Sequence, residues 1–281
     1  MYWADEDVVF MVTSATPWRV FDEEAPYTEM DWLMPEEIRF LASIFLCQKR
    51  DDAKLCFYPL HHFAPKIARK SLKLESEKIA TQLKETIAHN LRYPDQPYYA
   101  SALEECAKLR YTLLDPDSFK LASQQEYWTN ISTKDYVLLR GLSALLKSDM
   151  LSCYYEFYEE GTIQTFIALD ASFQLILRRL RKEGIRNPNA KTAAKWLYEH
   201  FDKHLGFERQ IMERYFEEFY DQRVMTLHPA SRFGDSPYAP LAIDDFYHLR
   251  SSLPEIFAYL ITGSHSVDFL EEVERRKSRK W

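Results

Sequence analysis

Arg223 and His228 stand five residues apart in the stretch Phe219-Tyr-Asp-Gln-Arg223-Val-Met-Thr-Leu-His228-Pro229, at the end of a strongly amphipathic run. On an unbroken α-helix a step of that length turns through about 500°, which leaves the two side chains roughly 140° apart. Pro229 removes the obstacle. A residue before proline is pushed out of the α region, so the helix stops at or before His228 and the imidazole can turn back toward the guanidinium. A histidine that titrates near neutral pH beside a permanent planar cation suits phosphodiester chemistry: one group moves protons, the other stabilises charge on phosphate. Each residue also has a structural use. Arg223 can pair with Asp170 or Glu217, and His228 can sit at a helix C-terminus, where the dipole favours a cation.

A phosphate-binding site needs positive charge, and the net charge of -7 over 281 residues argues against a generally basic surface. The distribution changes that picture. Residues 1–31 hold eight acids against one base, Arg19, and so carry the whole net charge, leaving the other 250 residues neutral. Within those, residues 178–195 hold seven bases (Arg178, Arg179, Arg181, Lys182, Arg186, Lys191, Lys195) and one acid, Glu183, a local +6 that could attract phosphate. Arg232, four residues past His228, is close enough in sequence to reach a phosphate bound at the motif. The competing reading of these residues is an ordinary solvated helix end and loop.

Other candidates are weaker. His200 and His204 have the i, i+4 spacing of zinc ligands, but the HExxH arrangement is absent and a solvated helix face is the simpler reading, so no metal site is assigned. His61-His62 reads as a loop pair. Tyr154, Tyr155, Phe157 and Tyr158 could stack on bases, although packing is the commoner use of such a cluster. With six glycines and no GxGxxG or GxxxxGK[ST], a phosphate-cradling loop is excluded by counting. Four cysteines without CxxC spacing, no apolar leader and no run long enough to span a bilayer together predict a reduced, cytoplasmic protein without a membrane contact.

The elements that must position these residues read as helix after helix. Met34-Pro35-Glu36-Glu37 opens one helix and Pro65 another, with Leu72, Ile79, Leu83, Ile87 and Leu91 on its stripe. A third is expected from about Tyr98 to Leu114. Ser132-Thr-Lys-Asp135 resembles a capping box, opening a helix to Glu160 that Gly161 separates from the next, Thr162 to Lys182. Phe166, Leu169, Phe173, Leu177 and Leu180 form the core face of that second helix, with Asp170 semi-buried between Leu169 and Phe173. Shorter helices follow at 190–203 and 207–228, and Ile243 to Thr262 closes the bundle. Val8 to Val12 is the one strand-like run, in an acidic irregular arm. The fold class is all-α. Three parts are expected: a mainly helical N-terminal region over 1–131, a helical domain over 132–264 and a basic C-terminal tail over 265–281.

From about residue 133 to 264 the pattern resembles the HEPN domain family, a helical bundle with an Arg-x(four to six)-His motif near the end of a late helix. Arg223 to His228 fits that spacing. The helix Phe166-Ile-Ala-Leu-Asp170-Ala-Ser-Phe173 is similar to the family's first long helix, where an acid faces the bundle interior, and a closing amphipathic helix follows the motif. The resemblance implies a metal-independent ribonuclease without a cofactor, working as a homodimer, of the kind found as toxins with an antitoxin partner or as antiphage-defence effectors. His228 would be the general acid or base, Arg223 would stabilise the phosphorane, and Asp170 would support Arg223. Active members usually carry a polar residue after the arginine, where this chain has Val224. The alternative implied by the resemblance is therefore a non-catalytic module for RNA binding or protein assembly.

Overall fold

The computed structural model describes residues 2–5, 8–11, 27–29, 35–47, 63–65, 76–82, 85, 121–152, 157–207, 216–218 and 243–278. The chain forms two compact units, residues 1–37 with 57–111 and residues 38–56 with 112–281. The expected boundary at 131/132 thus falls inside the second unit, and residues 265–281 belong to that unit's body. In the first unit β1 (Tyr2–Asp5) pairs antiparallel with β2 (Val8–Met11), Trp3 opposite Phe10. A second ladder pairs β3 (Tyr27–Glu29) with a strand at Phe63–Pro65. Pro65 therefore ends a strand and does not open a helix at that point. Between those two strands comes α1 (Pro35–Phe45), and its acidic first turn, Glu36 and Glu37, matches the expected opening. The strand Phe63–Pro65 is β4.

Every described element that begins in the second unit is helical: α2 (Leu121–Asn130), α3 (Tyr136–Leu151), α4 (Tyr158–Lys182), α5 (Ala190–Leu197) with a π-helical turn (Tyr198–Asp202), α6 (Ile243–Thr262) and α7 (Val267–Ser278). The core is all-α, and no described helix is long and apolar enough to cross a membrane. α1 packs on α2 through Trp128, with the Arg39 guanidinium 4.4 Å from the indole centroid and Phe40 meeting it edge-on at 6.0 Å. The Gln124 amide donates to the Ser43 hydroxyl at 2.9 Å, so these two buried polar groups satisfy each other.

α3 and α4 form the central helix pair. Their shared face is built from small residues, among them Gly141, Ala144 and Ser148 on α3 and Gly161, Thr165, Ala168 and Ala171 on α4, all buried. Small side chains let two backbones approach closely, and two buried α4 hydroxyls bond within their own helix: Thr165 donates to Thr162 O at 2.7 Å and Ser172 to Leu169 O at 2.7 Å. At Gly141 the approach is tightest. A Cβ there would lie 2.8 Å from Phe257 Cε1 on α6 and 2.9 Å from Ala171 Cβ.

Two expected boundaries shift. The helix opened by the Ser132–Asp135 segment starts at Tyr136 and ends at Leu151, because Asp135 itself is the N-cap and accepts from Leu138 N at 3.2 Å. Gly161 does not separate helices; it lies inside α4, where its open side faces Ser148 and Leu151 of α3. The C-terminal segment, expected as a basic tail over 265–281, carries α7, with Phe269 and Val273 buried.

α6 is locked to α3 by an ion pair that apolar periodicity did not announce. Arg250 donates through Nε to Asp149 Oδ1 at 2.7 Å and through Nη2 to Oδ2 at 3.2 Å. The Asp149 side chain is 2% exposed and that of Arg250 14%. Bidentate geometry of this kind fixes both the register and the rotation of α6 against α3.

Two expectations follow. Asp149→Ala removes a bidentate carboxylate from a nearly dry site and is expected to cost about 3–5 kcal/mol, whereas Asp149→Leu with Arg250→Met restores most of it. Urea denaturation of the singles and the double checks this; a double variant no more stable than the singles contradicts it. Gly141→Ala is expected to destabilise by about 1–3 kcal/mol through overpacking. Gly161→Ala, where the new methyl meets Ser148 O at 3.4 Å, should be neutral or stabilising by up to about 1 kcal/mol through helix propensity.

Candidate functional site

The basic segment occupies the corner where α4 ends and α5 begins. α4 stops in a Schellman motif: Ile185 N donates to Leu180 O at 3.0 Å and Gly184 N to Arg181 O at 3.1 Å, with Gly184 at φ 89°. Asn187 takes φ 55°, a conformation asparagine tolerates better than most residues. Asn189 then caps α5, its side chain accepting from Thr192 N at 3.1 Å while the Thr192 hydroxyl accepts from Asn189 N at 2.8 Å. Both ends of this corner are therefore tied down by backbone hydrogen bonds, which gives its side chains a fixed base.

The cations on it divide into two sets. Arg178 reaches back to the α3 N-cap, its Nη1 3.0 and 3.1 Å from the two Asp135 oxygens. Arg179 pairs with Glu183 at 3.1 Å and lies 5.2 Å from the Tyr259 ring and 5.8 Å from the Trp196 ring, bridging α4 to α6 and α5. Arg181, Lys182, Arg186, Lys191 and Lys195 are exposed and make no ion pair among the described residues. Arg181 and Lys182 are favoured where they are by the negative end of the α4 dipole.

Asp170 differs from expectation: it is exposed on the outer side of α4, so it does not face the bundle interior. Position 170 follows the buried Ala168 and Leu169 and precedes the buried Ala171, so the pattern of apolar neighbours gave the wrong face. Arg223, His228 and Arg232 lie outside the described residues, as do Tyr154, Tyr155 and His61-His62. Phe157 is exposed at the start of α4. Among the described residues no group of three or more His, Cys, Asp or Glu could hold a metal ion.

Beside the basic corner lies a cluster that sequence reasoning read as a solvated face. His200 is half-buried; its ring stacks on Trp196 at 4.2 Å, and its Nδ1–H donates to Trp196 O at 2.8 Å. Tyr259 of α6 has His200 on one side at 5.2 Å and His265, from the α6–α7 loop, at 4.8 Å. His265 stacks in turn on Phe269 at 4.5 Å, with His204 5.7 Å away. Burial, reinforced by neighbouring cationic groups, lowers the pKa of both His200 and His265. Asp202, which closes the π turn, is pushed up to about 6 by burial. The available signal was the coincidence of the buried Trp196 with the half-buried His200 and Tyr259, which local spacing alone does not connect.

No protein-family model, no curated protein and no solved structure matches the chain.

Proposed function

We propose that the chain is a HEPN-like, RNA-engaging protein that holds phosphates on the α4–α5 corner and cleaves the strand with Arg223 and His228. The observation that supports this most is the disposition of charge over residues 178–195. The segment's one acid, Glu183, is taken by Arg179, and five further cations stand exposed without an ion-pair partner among the described residues. Phosphates bound there would release condensed counterions, a sequence-independent gain that falls steeply with salt.

In the catalytic step His228 takes the proton of a 2′-hydroxyl, or donates one to the 5′-oxygen that leaves. The 2′-oxygen bonds to phosphorus as the bond to the 5′-oxygen breaks, leaving a cyclic phosphate and a 5′-hydroxyl. Arg223 stabilises the extra negative charge on the phosphorane. Acid-base help of this kind is worth about 10²- to 10⁴-fold, with several kcal/mol more from a well-placed cation. In a homodimer the two motifs would meet across the interface, which suits a toxin held by an antitoxin or an antiphage-defence effector. Val224, apolar beside Arg223, favours the second reading, a non-catalytic module for RNA binding or assembly.

Single-stranded RNA affinity is expected to fall linearly with the logarithm of salt. Arg181→Ala with Lys182→Ala and Arg186→Ala should flatten the slope by about 2, from roughly 0.7 per phosphate contact. An unchanged slope removes the corner from the interface. In EDTA, cleavage leaving cyclic phosphate ends should vanish in Arg223→Ala and in His228→Ala; binding without cleavage in the wild type would select the module.

A further inference from the structure

Three observations converge on the α6–α7 loop. First, the anchorage of α7 runs through the aromatic cluster: Phe269 lies 5.4 Å from Phe201 and stacks on His265, and the Arg276 guanidinium lies 5.0 Å from the Phe207 ring. The Ser266 hydroxyl, which caps α7 by accepting from Phe269 N at 3.0 Å, donates to Glu255 at 2.6 Å. Second, His265 Nδ1 is buried and has no hydrogen-bond partner among the described residues. A neutral ring can keep its proton on Nε2 and leave only a lone pair at that buried position, but a cationic ring must place an N–H there with no acceptor, the costlier state. Third, His200 and His265 both contact the Tyr259 ring, and a charge on His200 opposes protonation of His265.

We propose that His200 and His265, both in ring contact with Tyr259, form an acid-sensitive latch that holds α7 on the second unit while both rings are neutral and releases it when they are protonated. The charged and titratable groups around the latch set its direction. Arg179 of α4 and His204 after the π turn oppose protonation of His200; Glu183 favours it. His204 and His200 oppose protonation of His265; Glu255 of α6 favours it. Burial is the largest influence on both rings, and it too favours the neutral form.

The sign follows from linkage. A histidine whose folded pKa lies below its unfolded value of 6.5 contributes stability that is complete above 6.5 and is lost as the pH falls through the folded value. Asp202 works the other way: with a folded value of about 6 against 3.8, its contribution is complete below 3.8 and is lost as the pH rises through about 6. Asp202 is common to the wild type and a histidine variant, so their difference isolates the latch.

The test is amide hydrogen exchange on the full chain at pH 7.5 and 5.5, corrected for intrinsic exchange, comparing wild type with His265→Phe, which keeps an aromatic ring against Phe269. The opening constant of residues 267–278 should rise in the wild type by up to about tenfold per pH unit for each proton taken up, and distinctly less in the variant. Equal acid loosening in both proteins, or none in the wild type, overturns the proposal. Should the variant misfold, the imidazole Cε1 resonances of the wild type decide. Midpoints below 6.5 for both His200 and His265 are expected, and a midpoint at or above 6.5 for either contradicts the latch.

Discussion

The close approach of α3, α4 and α6 around Gly141 is the constraint on which the rest of the second unit depends. A hydrogen at that position lets the Phe257 ring and the Ala171 methyl occupy space a side chain would claim. The choice then propagates along the helix pair. The α3–α4 face carries Ala, Ser, Thr and Gly where larger residues would force the backbones apart, and the buried hydroxyls of Thr165 and Ser172 bond within α4. Packing of this kind is attractive but says little about register, since small side chains interlock weakly. The Asp149–Arg250 pair supplies that specificity for α6, at a desolvation cost that its bidentate geometry helps to offset.

Once α4 is fixed against its neighbours, its C-terminal end has few ways to leave the bundle. Gly184 in the left-handed region terminates it, and the Asn189–Thr192 box restarts the helix after a short turn. Arg178 and Arg179 work inward, the first on the α3 N-cap and the second on Glu183 and the Trp196–Tyr259 pair. The five remaining cations are exposed along a segment whose backbone is specified at both ends. A fixed array of this kind loses less side-chain and loop entropy on meeting a polyanion than the same charges on a loose tail would.

Much of this was legible in the sequence. Where apolar spacing and caps agree, the expected elements match: α6 spans Ile243–Thr262 as read, α4 ends at Lys182, and Gly184, Gly206 and Gly263 all take positive φ past helix ends. The misses share a cause, which is that tertiary contacts leave no periodic trace. Gly161 looked like a breaker because glycine has poor helix propensity, yet α4 runs through it against α3. Asp170 was placed on the inner face from its apolar neighbours and sits on the outer one. Asp149 is a lone acid in the run Ala144-Leu-Leu-Lys-Ser-Asp149, and nothing local connects it to an arginine about a hundred residues later. His204 is exposed, as a solvated face implies, but His200 is half-buried because its partner Tyr259 comes from the far end of the chain. Arg223 and His228, the most suggestive spacing in the sequence, lie outside the described residues.

The functional reading joins exposed cations that have no ion-pair partner among the described residues to the Arg223–His228 pair proposed for phosphodiester chemistry, and its central claim concerns the first of these. If the α4–α5 corner is where RNA lies, bound RNA must shield that corner from solvent. The most direct measurement is an amide-exchange and lysine-modification footprint of the full chain with and without a single-stranded RNA at low salt. Protection of Lys182, Lys191 and Lys195 and of the amides over residues 181–195, reversed by added salt, is the expected result. Saturating RNA binding that leaves those three lysines as reactive as in the free protein would contradict it.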